Sequence, residues 1–399
     1  MKSNLILIFF VLTLLYSCSK SVNDSFPTPQ IKAGIAKLSG KLKSQEKDLE
    51  LTLVFVNPVT ADVSNYNTIV SEDGNFVFEV PVECNAIGYI LPYSLAVLLI
   101  PDEEVKLELT YDSSSKKVTV DKNSSVLDTK DILNLNDWDM YDRFLVGTSR
   151  STSGSVYTLN HDDYVKASIS MMEARIKYAL SDSILTKKGE RFIMNAFRLI
   201  YLEGTLLKYG EAVSFNYECF KTKEEPDNFT PIEPGKSYYN FLKYFNLNDP
   251  QYLYNELYKD VLQTILSIDT LGIPDIGETP IAEWLGGVKS TMTEMIGSDS
   301  GLFYDMLTAN AYARQLNMYK PLSKKQEINI RDYFNTQDYF KDAEIVKILL
   351  AKNEKIIVKH NEDQQYFSLT INETPTVPKE ELMKAILSRY KGKVVFVDY

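Results

Sequence analysis

From Ile35 to Val120 apolar and polar residues alternate in short runs broken by turn residues, the period of half-buried strands. Leu49 to Val56 ends at Asn57-Pro58, and Asp73-Gly74 precedes Asn75 to Val80, which ends at Pro81. Val105, Leu107, Leu109 and Tyr111 alternate with Lys106, Glu108 and Thr110, so one face of that strand is core and the other is wet. Strands about ten residues apart predict a small antiparallel sandwich or barrel, with the β-sandwich as the default over residues 31–125.

After a polar stretch at Asp121 to Lys130 the period becomes that of helices. Val165, Ile169, Met172, Ile176 and Leu180 form one stripe, and Asn248-Asp249-Pro250 opens another helix with Leu253, Leu257, Val261 and Ile265 four apart. Thr279 reads as a cap with Pro280 at the first helical position, and Ser323 with Gln326 as a capping box. Four to eight helices between about Trp138 and Lys352 make an α-helical middle domain over residues 130–352. Farther on, Val377 to Tyr390 reads as a helix with acids in its first turn and Leu382, Ile386 and Tyr390 on one face. Gly392 then leads into Lys393 to Tyr399, an apolar β-branched run of the kind buried on both faces of a sheet, and Tyr366 to Thr370 reads as a second strand. The whole is an α+β multidomain chain whose residues 356–399 are the incomplete start of an α/β unit.

The N-terminus changes the setting. Met1 to Asn4 followed by Leu5 to Leu15 is a charged segment and an apolar one too short to span a membrane, the pattern of an export signal. Leu15-Tyr16-Ser17-Cys18 matches a lipobox, which makes residues 1–18 a lipoprotein signal peptide, Cys18 the lipidation site and residues 19–30 a polar tether. The expected location is the bacterial cell envelope, periplasmic or on the outer-membrane face, with the membrane as partner through the lipid. A net charge of -11 and no local Lys/Arg cluster argue against nucleic acid. Cys84 and Cys219 remain; they fall in different expected domains, belong to no C-x-x-C pair and read as two separate buried thiols, an interdomain disulfide being the alternative.

Gly392-Lys393-Val394-Val395-Phe396-Val397-Asp398-Tyr399 is similar to the core strand of thioredoxin-like disulfide reductases of the TlpA and ResA type. In those proteins the phrase continues into a Trp-rich turn and a C-x-x-C dithiol. The β region resembles the N-terminal β domain that precedes thioredoxin domains in many envelope lipoproteins. Ser237 to Leu242, Leu247 to Pro250 and Ser300 to Asp305 also resemble stretches of those proteins. The resemblance implies the N-terminal portion of a thiol-disulfide oxidoreductase lipoprotein, ending just before the dithiol and inactive by itself. It brings no catalytic residue and no cofactor, and envelope thiol or disulfide proteins would be its partners. The alternative is a non-enzymatic glycan- or peptide-binding surface lipoprotein.

Other candidate groups have duller explanations. His161 and His360 lie in different regions with no second ligand three or four residues away, so no metal site is expected. Asp102-Glu103-Glu104 and Glu224-Glu225 are neighbours that share one environment, whereas an acid/base pair needs two; they read as solvated loops, and no general acid is nominated. Tyr238, Tyr239, Tyr244, Phe245, Tyr252, Tyr254 and Tyr258 could stack on sugars, but at helical spacing core packing is the preferred reading. Gly286-Gly287 lacks the strand-before, helix-after context of a phosphate loop and reads as a helix kink or a close-packing point.

Overall fold

The structure is a computed structural model that describes residues 24–44, 49–146, 154–336, 344–366, 377–388 and 390. Cys18 and the signal segment lie outside the described residues, as do residues 367–370 and 393–399, where the late strands are expected. Residues up to Glu354 form one compact unit and those from Lys355 a second.

Eight strands open the first unit: β1 (Ile31–Lys43), β2 (Glu50–Asn57), β3 (Asp62–Ile69), β4 (Asn75–Cys84), β5 (Ala86–Leu91), β6 (Leu95–Leu99), β7 (Glu104–Asp112) and β8 (Lys117–Asn123). They make two four-stranded sheets, ordered β4-β1-β7-β8 and β3-β2-β5-β6. The alternation sets the faces: Phe76, Phe78 and Val80 of β4 are buried between exposed neighbours with Val82 buried beyond them, and Leu51, Leu53 and Phe55 of β2 are buried in the other sheet. Strands β2 and β3 lie against β4, and β6 against β1, which brings the two apolar faces together. The Ser71–Asn75 turn depends on Gly74, whose φ of 82° is a conformation glycine takes without steric cost. The sheets are not wholly antiparallel, because β1 pairs with β7 in parallel, Leu38 beside Val105 and Leu42 beside Leu109. Parallel partners need a long crossover, and here it consists of the five strands between them.

Strands end at Asn123 and helices begin at Thr129, within the polar stretch expected to separate them. Both parts nonetheless belong to the one compact unit that runs to Glu354. The helices are α1 (Thr129–Asn134), α2 (Trp138–Val146), α3 (His161–Ala179), α4 (Lys187–Tyr201), α5 (Tyr209–Phe220), α6 (Leu257–Ile265), α7 (Ile281–Ile296), α8 (Leu302–Asn317), α9 (Lys324–Thr336), α10 (Glu344–Tyr366) and α11 (Lys379–Ser388). A π-turn at Leu202–Leu207 joins α4 to α5, and 3-10 segments occupy Lys236–Phe245, Pro250–Tyr254 and Asp269–Leu271.

Among the described residues α2 to α9 lie wholly between Trp138 and Lys352, the upper end of the expected four to eight, although some apolar stripes are broken. The stripe from Leu253 to Ile265 is cut at Asn255, whose extended backbone (φ -105°, ψ 122°) separates the 3-10 turn from α6. On α3 the buried face runs through Tyr164, Ser168, Met172, Ile176 and Ala179, so Val165, Ile169 and Leu180 are only half-buried. The large Tyr164 ring takes the core position. Pro280 is the cap residue of α7 itself, and no side chain caps that helix, contrary to the expected role of Thr279. The capping box forms as read: Ser323 Oγ accepts from Gln326 N at 3.2 Å, and Gln326 Oε1 from Ser323 N at 2.9 Å.

Polar groups join sheets to helices. Asn310 and Asn317 of α8 donate through Nδ2 to the carbonyls of Pro58 and Thr60, each at 3.2 Å. Glu344 of α10 accepts from Ala33 N at 2.9 Å, and Lys352 bridges Asp62. In the second unit α11 forms where a helix was expected, with Leu382 and Ile386 half-buried. Among the described residues no helix is long and apolar enough to cross a membrane.

Candidate functional site

The thiols do not come together. Cys84 ends β4, is buried and lies 3.1 Å from the Asn85 carbonyl; burial and then the charge of Glu83 push its thiol well above the ordinary range. Cys219 is half-buried on α5, and both cysteines are free. A nucleophilic thiol needs the opposite environment, exposed and electropositive.

His161 Nε2 sits 3.1 Å from the Ile232 carbonyl, and its ring packs edge-on to Tyr209 and Tyr238 at 5.1 and 5.7 Å. His360 lies on the α10 segment of the second unit. Among the described residues no group of three His, Cys, Asp or Glu side chains could hold a metal. Asp102 is tied to Lys32 at 2.8 Å and accepts from Ile35 N, contacts that hold its carboxyl below the ordinary range. Glu225 is likewise held low by Thr222 N and the Tyr157 hydroxyl. These acids organise loops.

The tyrosine-rich stretch is core, apart from the exposed Tyr244. The hydroxyls of Tyr238, Tyr252 and Tyr258 donate to the carbonyls of Leu206, Phe245 and Leu247 at 2.9, 2.7 and 2.7 Å, and Tyr254 donates to Pro27 at 2.9 Å. Gly286 and Gly287 lie on the exposed side of a continuous α7, and a Cβ at either would meet nothing within 4 Å, so close packing is not their role.

A cleft of about 1200 Å³ lies beside the π-turn. Its walls carry Glu203, Lys208, Glu211, Glu233, Asp260 and Asp269. The π-turn widens the helix by one residue, so Lys208 N reaches back to the Glu203 carbonyl at 3.3 Å and the chain breaks at Lys208 (φ -90°, ψ 48°). Glu203 and Lys208 are thereby presented to one wall, their side chains 2.5 Å apart, and Thr264 of α6 donates to Glu203 at 3.3 Å. The Glu203 hydrogen bond raises the Lys208 pKa above its ordinary value. On the other wall Glu233 lies over Gly210, where an added Cβ would come within 2.8 Å of Oε1. Five carboxylates against one lysine make the cleft a cation-attracting groove. Helical periodicity could not reveal it, because residues five apart share a face only across a π-turn.

Compared with known proteins, the chain matches no family model, and no curated protein matches it.

Proposed function

We propose that the chain is a lipid-anchored protein of the bacterial envelope, tethered through Cys18, whose compact first unit is the non-catalytic region of a thioredoxin-like disulfide oxidoreductase. The observation that carries this reading is the order of parts. A strand unit is fastened to helices within one body to Glu354, and a second unit follows with α11 directly before the Gly392–Tyr399 phrase. Dithiol exchange requires an accessible thiolate with a resolving cysteine beside it. Cys84 is buried with a raised pKa, Cys219 lies on a different element, and neither has a cysteine three residues away, so the first unit serves to hold and present rather than to reduce.

Two measurements on the expressed chain test this. Detergent partitioning and intact mass should show an acylated Cys18, and Cys18→Ala should leave the protein in the aqueous phase. Insulin reduction with dithiothreitol should run at the uncatalysed rate. Turnover above that rate, abolished by Cys84→Ala or Cys219→Ala, would overturn the non-catalytic role; an unacylated wild type would overturn the anchor.

A further inference from the structure

Between the outer face of the β3-β2-β5-β6 sheet and the helices lies an enclosed pocket of about 260 Å³, separate from the acidic cleft. Tyr89 comes from β5, Asn136 from the turn before α2, Trp138 and Tyr141 from α2, Phe192 from α4, and Glu256 from the turn entering α6. Among the described residues the half-buried Tyr89 and Tyr141 hydroxyls and the exposed Glu256 carboxylate make no hydrogen bond to another protein group, which leaves them open to a ligand. The buried tyrosines at 238, 252, 254 and 258 all donate to carbonyls, whereas this pocket gathers three polar groups that the protein itself does not engage. Trp138 stands at the mouth 71% exposed, its ring 6.5 Å from that of Tyr141, which leaves an aromatic face at the rim accessible for stacking.

We propose that this pocket binds one sugar ring of a glycan, with the face of the ring on Trp138 and its hydroxyls bonded to Tyr89, Tyr141 and Glu256. The rival occupant is an organic cation, which would use the same rings and the carboxylate. An ammonium group brings donors only and leaves the tyrosine hydroxyl hydrogens competing for Glu256. Sugar hydroxyls accept from the tyrosines and donate to the carboxylate in the same pose, and the Asn136 amide can do either. Charge is not what the site lacks: desolvation raises the Glu256 pKa above its ordinary value, and the nearby Lys259 already draws it back. The volume lies below the roughly 300 Å³ at which pockets for drug-sized ligands begin, so it takes one ring, and the rest of a chain extends past Trp138 into solvent. The rings come from separate segments: Tyr89 from β5, Trp138 and Tyr141 from α2, Phe192 from α4, and Tyr254 from the tyrosine-rich stretch.

This inference does not rest on the thiol reading, and its assay involves no redox step. Saturation-transfer NMR on the full chain would be run with the methyl glycosides of glucose, galactose, mannose and N-acetylglucosamine, and with choline as the cation probe. At least one glycoside should bind saturably, in the weak range expected of a single ring. Trp138→Ala and Tyr89→Phe should each weaken it about tenfold or more, a loss of about one stacked ring or one hydrogen bond to a charged network. Trp138 is exposed, so its variant should keep the wild-type circular dichroism and melting temperature. Saturable binding of choline alone, no saturable binding of any glycoside, or glycoside binding that both variants leave unchanged would each overturn the proposal.

Discussion

Replacing Glu83 by Gln should flatten the dependence of stability on pH, because the buried carboxyl of Glu83 is more easily protonated in the folded chain than in the unfolded one. Glu83 Oε2 accepts from Val59 N at 2.9 Å and Thr60 N at 3.0 Å, while Oε1 makes a short contact with the Thr60 hydroxyl. That hydroxyl also lies 3.0 Å from Asp62 Oδ2 and has only one hydrogen to give. Protonated Glu83 resolves the conflict: it donates to Thr60, which then donates to Asp62, already bridged by Lys352. Desolvation is the largest cause of the shift, the three hydrogen bonds oppose it, and Asp62 adds to it, so the carboxyl is raised from 4.5 to about 7. The buried Cys84 thiol, adjacent in sequence, stays neutral across this range. Because the folded pKa lies above the unfolded one, the stability that Glu83 contributes is complete below about pH 4.5 and is lost as pH rises through 7. The full displacement corresponds to about 3 kcal/mol, of which about 2 to 3 falls between pH 5 and pH 8. Urea unfolding at four pH values across that interval gives the comparison. Gln keeps an acceptor for the two backbone N–H groups and a donor for Thr60, so Glu83→Gln should gain that amount on the wild type between pH 5 and pH 8. Parallel curves for the two proteins would refute the argument and mean that the carboxylate is ionised throughout.

Two local predictions follow from helix ends. Ser323→Ala removes one half of the α9 capping box and should cost about 1 kcal/mol in urea unfolding, with the β-sheet signal unchanged below the transition. Gly301→Ala should cost more, about 1 to 3 kcal/mol, because Gly301 has a φ of 116° and a Cβ there would fall 2.5 Å from Asn248 Oδ1; a melting temperature equal to wild type would contradict it.

What the sequence revealed was local. The alternation through β2, β4 and β7 and the Ser323–Gln326 box each depend on residues within a few positions, and each formed as read. The parallel pairing of β1 with β7 was not legible, since it joins residues more than sixty apart and either orientation satisfies the same alternation. Tyr238 to Phe245 carries helical spacing but winds as a 3-10 segment ended by Asn246 at φ 46°, and buried hydroxyls that reach for carbonyls help to fix that path. Neither recess could be read. The cleft depends on a π-turn, and the sugar pocket gathers positions 89, 138, 192 and 256, none of which is unusual by itself.

Three phrases carried the resemblance to envelope oxidoreductase lipoproteins without any chemistry that the sequence could supply, and the fold gives them a meaning. Asn248 Oδ1, from Leu247-Asn248-Asp249-Pro250, accepts from Phe303 N at 3.0 Å at the start of α8, and Gly301 leaves room for it to do so. The Leu247 carbonyl takes the Tyr258 hydroxyl, and Asp249 caps the 3-10 turn through Gln251 N at 2.9 Å. Tyr238, from the phrase at 237–242, is fastened to the Leu206 carbonyl inside the π-turn. Each of these groups is spent on satisfying backbone that helix ends and turns leave unpaired. A likeness made of caps and buried hydroxyls is a likeness of scaffold. The proposed sugar site draws instead on polar groups that the scaffold does not engage, Tyr89, Tyr141 and Glu256, which share one pocket.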